Sequence, residues 1–170
     1  NEPVYAQLGS EDMFVPKFKH IEFSRQEFHE KPLNFKSNME AYTQIADVLI
    51  NAIYWDPKAP QLFTMKDMKK SSFKIKAIAD ITCDIAPEAS IPSTVKATTI
   101  PQPVFGFLPL REKMVEPFMK SAIDVMSIPN LPSELPKDAS KHFSTNLFNI
   151  VIPEFFKEDS AMLKGARVIK

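Results

Sequence analysis

Glycine is nearly missing from this chain. Three glycines stand against fifteen prolines, and Gly9, Gly106 and Gly165 lie far apart. A G-x-G-x-x-G turn or a Walker loop needs clustered glycines, so that backbone can approach phosphate closely. Neither motif can be built here. Cysteine is as scarce. A single Cys83 excludes an internal disulfide framework and fits a reducing compartment, so a cytoplasmic location is expected. Inside an apolar stretch it reads as an inert core thiol. Net charge is also absent, 21 Lys and Arg balancing 21 Asp and Glu. Nucleic-acid binders usually carry a basic excess or stripe, and the cluster Lys66, Lys69 and Lys70 reads more simply as a solvated helix face. No apolar run approaches the ~18 residues of a membrane helix. Neither nucleic acid nor membrane is therefore expected as a partner. His20, His29 and His142 are too scattered for a metal site, and no cysteine cluster joins them. Ser-His-Asp order and a nucleophile elbow are missing too. No secretory segment opens the chain, which begins "NEPVYAQLG" and reads as the middle of something longer.

What is present suits one ordinary domain. The chain has 170 residues, 44% apolar and 25% charged, enough for a real core. "EPVYAQL" (2–8) predicts a short strand. The aromatic and charged run after it, with Phe14, Phe18, Phe23, Phe28 and Phe35, reads as a long connection over the domain surface. "KSNMEAYTQIA" (36–46) has helical spacing. "DVLINAIYW" (47–55) is almost unbroken in apolarity, as in a strand buried on both faces, and Asp56-Pro57 stops it. "FTMKDMKKS" (63–71) suits a short helix with Thr64 as N-cap. "FKIKAIADITCDI" (73–85) is the next strand, apolar after its lysines except for Asp80, Thr82 and Asp84. Residues 86–109 are rich in Pro, Ser and Thr and read as loop with short extended pieces. "KSAIDVMSI" (120–128) predicts another strand. Leu135, Ala139, Phe143, Leu147, Phe148, Val151 and Phe155 mark a long helix, bent near Pro153, and Gly165 ends a later one. Strands alternating with helices argue for an α/β fold: a partial doubly wound, Rossmann-like, mostly parallel sheet with flanking helices.

Open α/β sheets bind ligands outside the carboxyl ends of their strands. The first central strand ends in Asn51, Tyr54, Trp55 and Asp56, the second in Asp84, the third at Asn130. If these strands are parallel, the groups share one rim and suit a polar aromatic ligand. Each has a plainer reading. Asp84 can cap a loop, Trp55 can be core, and Asn130 before Leu-Pro is an ordinary turn residue. The segment "NLPSELPKDAS" (130–140) joins that strand end to the long helix. Pro132 and Pro136 stiffen it, Ser133 can cap, and Glu134 and Asp138 suit the positive helix N-terminus. Such stiffness would hold Asn130 and Leu131 in place at lower entropic cost to binding.

At these residues the chain resembles a family. "LINAIYWDPKAPQLFT", "IADITCDIAPEASIPSTVKATTI" and "NLPSELPKDAS", three ordered blocks within about 47–165, are similar to the C-terminal half of the saccharopine dehydrogenase (lysine-forming) and lysine-ketoglutarate reductase group. More distantly they resemble alanine dehydrogenase and the NAD-binding part of proton-translocating transhydrogenase. The resemblance implies an NAD- or NADP-dependent oxidoreductase acting on an amino acid. It implies that Ile53 and Tyr54 border the adenosine or nicotinamide ribose, that Asp84 lies near the nicotinamide and substrate, and that Asn130 and Leu131 touch the nicotinamide end. Residues 1–132 would then be the later portion of the cofactor domain. Residues 133–170 would be a helix and tail returning to an N-terminal domain. The family's Gly-rich turn and its Lys and His acid–base groups would precede residue 1, so no residue here is expected as the general base, and the chain is expected to be inactive alone. A competing reading is a non-catalytic module that dimerises through an exposed sheet edge.

Overall fold

The computed structural model describes residues 2–18 and 20–166. It contains two compact units, Asn1–Pro129 and Asn130–Lys170.

The first unit opens with α1 (Ser10–Met13), β1 (Phe14–Pro16), α2 (Arg25–Glu30), β2 (Phe35–Ser37) and α3 (Glu40–Thr43). β1 and β2 form an antiparallel pair. Then come β3 (Val48–Asn51), α4 (Met65–Met68), β4 (Ala77–Asp80), β5 (Val104–Leu108), β6 (Lys113–Val115) and β7 (Ile123–Met126). The main sheet has the order β3-β4-β7-β5-β6. β3, β4 and β7 run parallel, while β5 is antiparallel to both β7 and β6. The fold is α/β with a mixed sheet, and its parallel half is made of the three strands read from the sequence as central.

The period-2 pattern explains which face is covered. Leu49, Ile78 and Val125 stand in register, as do Phe105 and Val125. Ile78, Val125, Ile123, Phe105 and Phe107 are buried on this inner face. On the other face Val48 and Ile50 remain 59% and 70% exposed, beside half-buried Ala77 and Ala79. β3 is also an edge strand.

The aromatic run is not a surface connection. Phe14, Phe28 and Phe35 are buried, and Phe28 stacks on Phe14 with ring centroids 4.6 Å apart and meets Phe35 edge-on at 5.2 Å. Phe23 packs edge-on against Phe35. These rings are packed inward, while Phe18 stays exposed. Fully burying such a ring is worth ~1.5–3 kcal/mol, which explains why this segment folds inward.

Other departures have local causes. Residues 2–8 form no strand, since a strand exists only with a partner for its backbone groups. The helix expected over 36–46 shrinks to α3, because Phe35–Ser37 pairs with β1 instead. β5 falls in the stretch read as loop. Gly106 and Pro109 hid its alternation, yet Phe105 and Phe107 both face the core. Gly106 is required by close approach: a Cβ there would stand 2.5 Å from the Glu116 carbonyl oxygen. Thr64 caps α4 as expected. Its hydroxyl accepts from Asp67 N at 3.2 Å, and the Asp67 carboxylate accepts from Thr64 N at 3.0 Å.

The second unit begins with a single 3-10 turn, Leu131–Glu134, then α5 (Pro136–Asn146). Helix continues but changes pitch, widening over Leu147–Val151 and tightening over Ile152–Phe156. Pro153 has no N–H to donate and sits where the ladder is rebuilt. α6 (Ala161–Gly165) follows, capped by Ser160, whose hydroxyl accepts from Leu163 N at 3.1 Å and donates to Glu154 at 2.7 Å.

Candidate functional site at the carboxyl edge

Parallel pairing brings the carboxyl ends of β3, β4 and β7 to one edge of the sheet. Asn51 and Asp80 are partners in register there, and their inward parity sends both side chains into the interior. Asp80 is completely buried and Asn51 nearly so. A buried carboxylate without compensation would be costly. Three neutral donors answer it. Asn51 Nδ2 donates to Oδ1 at 2.9 Å, Thr82 Oγ1 donates to the same oxygen at 2.7 Å, and Thr94 Oγ1 donates to Oδ2 at 2.6 Å. Asn51 Nδ2 also donates to Ser90 Oγ at 2.9 Å. Among the described residues, two buried atoms here, Oδ1 of Asn51 itself and Oγ of Ser93 beside Thr94, have no partner.

The turn after β4 carries Cys83 and the candidate carboxyl, Asp84. Cys83 adopts a left-handed φ of 54°, uncommon for a residue with a Cβ. Its thiol reaches the Ser127 carbonyl just past β7 at 3.0 Å. Ser127 is held in turn, its N–H donating to Thr98 Oγ1 and its hydroxyl to the Lys96 carbonyl. The turn is thus gripped from two neighbouring strands. Burial pushes the Cys83 thiol up, and the charges of Asp80 and Asp84 push the same way, which suits an unreactive thiol. Asp84 is half-buried. Burial first, and the nearby Asp80 charge second, raise its carboxyl above the ordinary aspartate value, with Thr82 hydrogen bonding opposing them. A carboxyl raised by desolvation and a like charge at a strand end is a functional-site candidate on physical grounds.

The other expected residues divide. Tyr54, after β3, projects into solvent at 85% exposure, while Ile53 packs partly against the core. Trp55 is core: it is buried, and its indole N–H donates to the Pro60 carbonyl at 3.2 Å. Asp56 serves its own turn by accepting from Lys58 N at 2.8 Å. Tyr54 and Asp84 therefore follow the carboxyl ends of adjacent parallel strands. Asn130 and Leu131 belong to the second unit. There the Asn130 carbonyl accepts from Ser133 N and Oγ, at 3.1 and 2.7 Å, and the Asn130 side chain is exposed.

Sequence reasoning named Asn51 and Asp80 as polar interruptions but missed that Asp80 is the hub, with Ser90 and Thr94 around it. A signal existed. Strand parity puts both residues inside, and buried polar groups must find partners, which the Ser- and Thr-rich stretch after β4 can supply.

The opposite edge differs in kind. A cavity of about 130 Å³ lies before β3 and β4, lined by Ser37, Glu40, Thr43, Asp67, Lys70 and Phe73 among others. Its charges neutralise each other: Lys70 Nζ is 2.9 Å from both Glu40 and Asp67. Among the described residues no acidic, His or Cys group forms a metal-binding cluster, and no helix is long and apolar enough to cross a membrane.

No family model matches the chain. Curated proteins do. It is 30% identical over 148 residues, 85% of its own length, to alpha-aminoadipic semialdehyde synthase of Arabidopsis thaliana. It is 31% identical over 148 residues, 77% of its length, to the mitochondrial alpha-aminoadipic semialdehyde synthase of Mus musculus. Over 158 residues, 92% of its length, it is 26% identical to saccharopine dehydrogenase [NAD(+), L-lysine-forming] of Emericella nidulans. The chain spans 14%, 15% and 40% of these three relatives.

Proposed function

From a chain homologous to the saccharopine dehydrogenases and alpha-aminoadipic semialdehyde synthases, we propose the cofactor-domain portion of an NAD- or NADP-dependent amino-acid oxidoreductase of lysine metabolism, working in the cytoplasm. The carboxyl edge serves the nicotinamide end of the dinucleotide. Hydride passes between the nicotinamide and the carbon of a C–N bond in an amino acid or its imine. Ile53 and Tyr54 border the ribose, Asp84 orders nicotinamide and substrate, and Asn130 and Leu131 meet the nicotinamide end. Residues 1–132 supply the cofactor face, and residues 133–170 lead back to the domain bearing the acid–base groups. Turnover requires those groups, so the chain by itself binds cofactor without catalysis.

One observation carries this reading: Asp84, with its raised carboxyl, stands after the carboxyl end of a parallel strand, beside the buried Asn51–Asp80 pair. Ligands of open α/β sheets sit outside that edge. The test is a titration with NADH and NADPH followed by Trp55 fluorescence, repeated with Asp84→Ala and Asn130→Ala. Saturable quenching that both substitutions weaken is expected. Silence at millimolar cofactor would remove the cofactor reading.

A second reading has its own support. β3 is an unpaired edge carrying exposed Val48 and Ile50, and open apolar edges invite strand pairing. In that reading the chain is a dimerising module. Light scattering decides: a dimer that Ile50→Lys converts to monomer supports it, and a monomeric wild type removes it.

A further inference from the structure

The buried pair at the carboxyl edge contains more polarity than packing needs. An apolar pair would fill the same inner positions of β3 and β4 without desolvating an acid. Asp80 has no exposed surface, so it touches no substrate. Its two oxygens instead collect hydrogen bonds from three different segments. Asn51 belongs to β3, Thr82 to the turn after β4, and Thr94 to the following loop. Thr82 stands two residues before Asp84, whose N–H points at the Thr82 hydroxyl at 3.5 Å. Cys83, between them, is tied to Ser127. The turn thus has one anchor on Asp80 and another beyond β7.

We propose that Asp80 is a positioning residue: by accepting from Asn51, Thr82 and Thr94, it fixes where the Thr82–Asp84 turn carries the Asp84 carboxyl at the sheet's carboxyl edge. The assignment rests on reading Asp84 as the group that faces the nicotinamide. Thr82 is the link. It hands Asp80's fixed place to the turn, while the Asp80 charge acts on Asp84 through space. The groups acting on Asp84 are burial, Asp80 and Thr82; Cys83 is its titratable neighbour, with a thiol pushed up in turn. No lysine or arginine among the described residues pairs with Asp84.

The experiment needs no cofactor, so its failure is distinct from failure of the cofactor titration. The Asp84 carboxyl is titrated by carbon NMR, and amide exchange is followed at Cys83 and Asp84, in the full chain. Variants are Asp80→Asn, Thr82→Val and, as a lesion of the same strand outside the network, Ile78→Val. Asp80→Asn removes the like charge and should lower the Asp84 midpoint. Thr82→Val removes an opposing hydrogen bond but keeps the charge, and should raise it. Both should speed exchange at Cys83 and Asp84 on the order of tenfold, the scale of one net hydrogen bond. Ile78→Val should move neither midpoint nor exchange at the turn. A folded Asp80→Asn with unchanged midpoint and exchange overturns the proposal. Should Asp80→Asn fail to fold, Thr82→Val decides alone: an unmoved midpoint and unmoved exchange overturn it.

Discussion

At the carboxyl edge of the sheet Asp80 is fully buried, answered by an amide and two hydroxyls. At the amino edge Asp47 stands in solvent, answered by Lys76 at 2.7 Å. Asp47 immediately precedes β3 and Asp80 is the last residue of β4, and both are hydrogen-bonded. The difference lies in water. An exposed pair trades one well-solvated state for another, and the gain nearly vanishes. A buried carboxylate has no such exchange available, so each donor left without it carries a desolvation cost. The edge that holds the candidate site is therefore the more rigid one, and the charged edge is the more replaceable one.

The largest test of that contrast is Asp80→Leu. It leaves Asn51, Thr82 and Thr94 without their acceptor and should cost about 3–5 kcal/mol in chemical denaturation. Thr94→Val keeps the shape and removes one donor, so a loss of about 1–2 kcal/mol is expected from the same measurement. A loss below the error of the method would mean that the carboxyl-edge network is no stiffer than the amino edge.

On the amino side, Thr64→Ala removes the cap of α4 and should cost about 1 kcal/mol. Its partner Asp67 adds a pH signature. Burial pushes the Asp67 carboxyl up, but hydrogen bonds from Lys70 and Thr64 and the Lys70 charge outweigh it and hold it at about 2. A lowered acid stabilises the native state above the ordinary value of 3.8, and that contribution fades as pH falls from there through about 2. Acid titration of stability should show this fall in the wild type and a smaller one in Asp67→Asn.

Asp84 has the opposite sign. Its carboxyl is raised above 3.8, so the native state binds the proton more tightly than the unfolded chain does. Its contribution is most favourable below 3.8 and declines as pH rises through the raised value. Asp84→Asn should accordingly be slightly stabilising at neutral pH and lose that advantage in acid, as thermal melts at two pH values would record. Smallest of all, Lys76→Ala breaks an exposed pair and should leave the denaturation midpoint unmoved.

Legibility in the sequence followed range. The cap at Thr64 was readable because a cap is made within four residues. The three parallel strands were readable because runs such as Val48–Asn51 and Ile123–Met126 are apolar on their own terms. β5 was not: Phe105 and Phe107 alternate, but Gly106 and the flanking prolines hide the pattern, and only pairing with β7 and β6 makes it a strand. Asp84 was found from its place at a strand end. Its raised carboxyl was out of reach, since that depends first on burial, which only the folded chain decides, and second on the charge of Asp80.

Composition alone excluded a disulfide scaffold and a phosphate-gripping glycine turn within these residues, and local patterning set the α/β class and where along the chain three of its strands fall. Tertiary structure decided the antiparallel half of the sheet, the inward turn of Phe14, Phe28 and Phe35, and the choice of Asp80 as the buried hub. The reason is physical. Caps and strand patterns are closed by near neighbours, whereas the state of a buried carboxylate depends on which distant donors the fold brings to it and how fully it shuts out water.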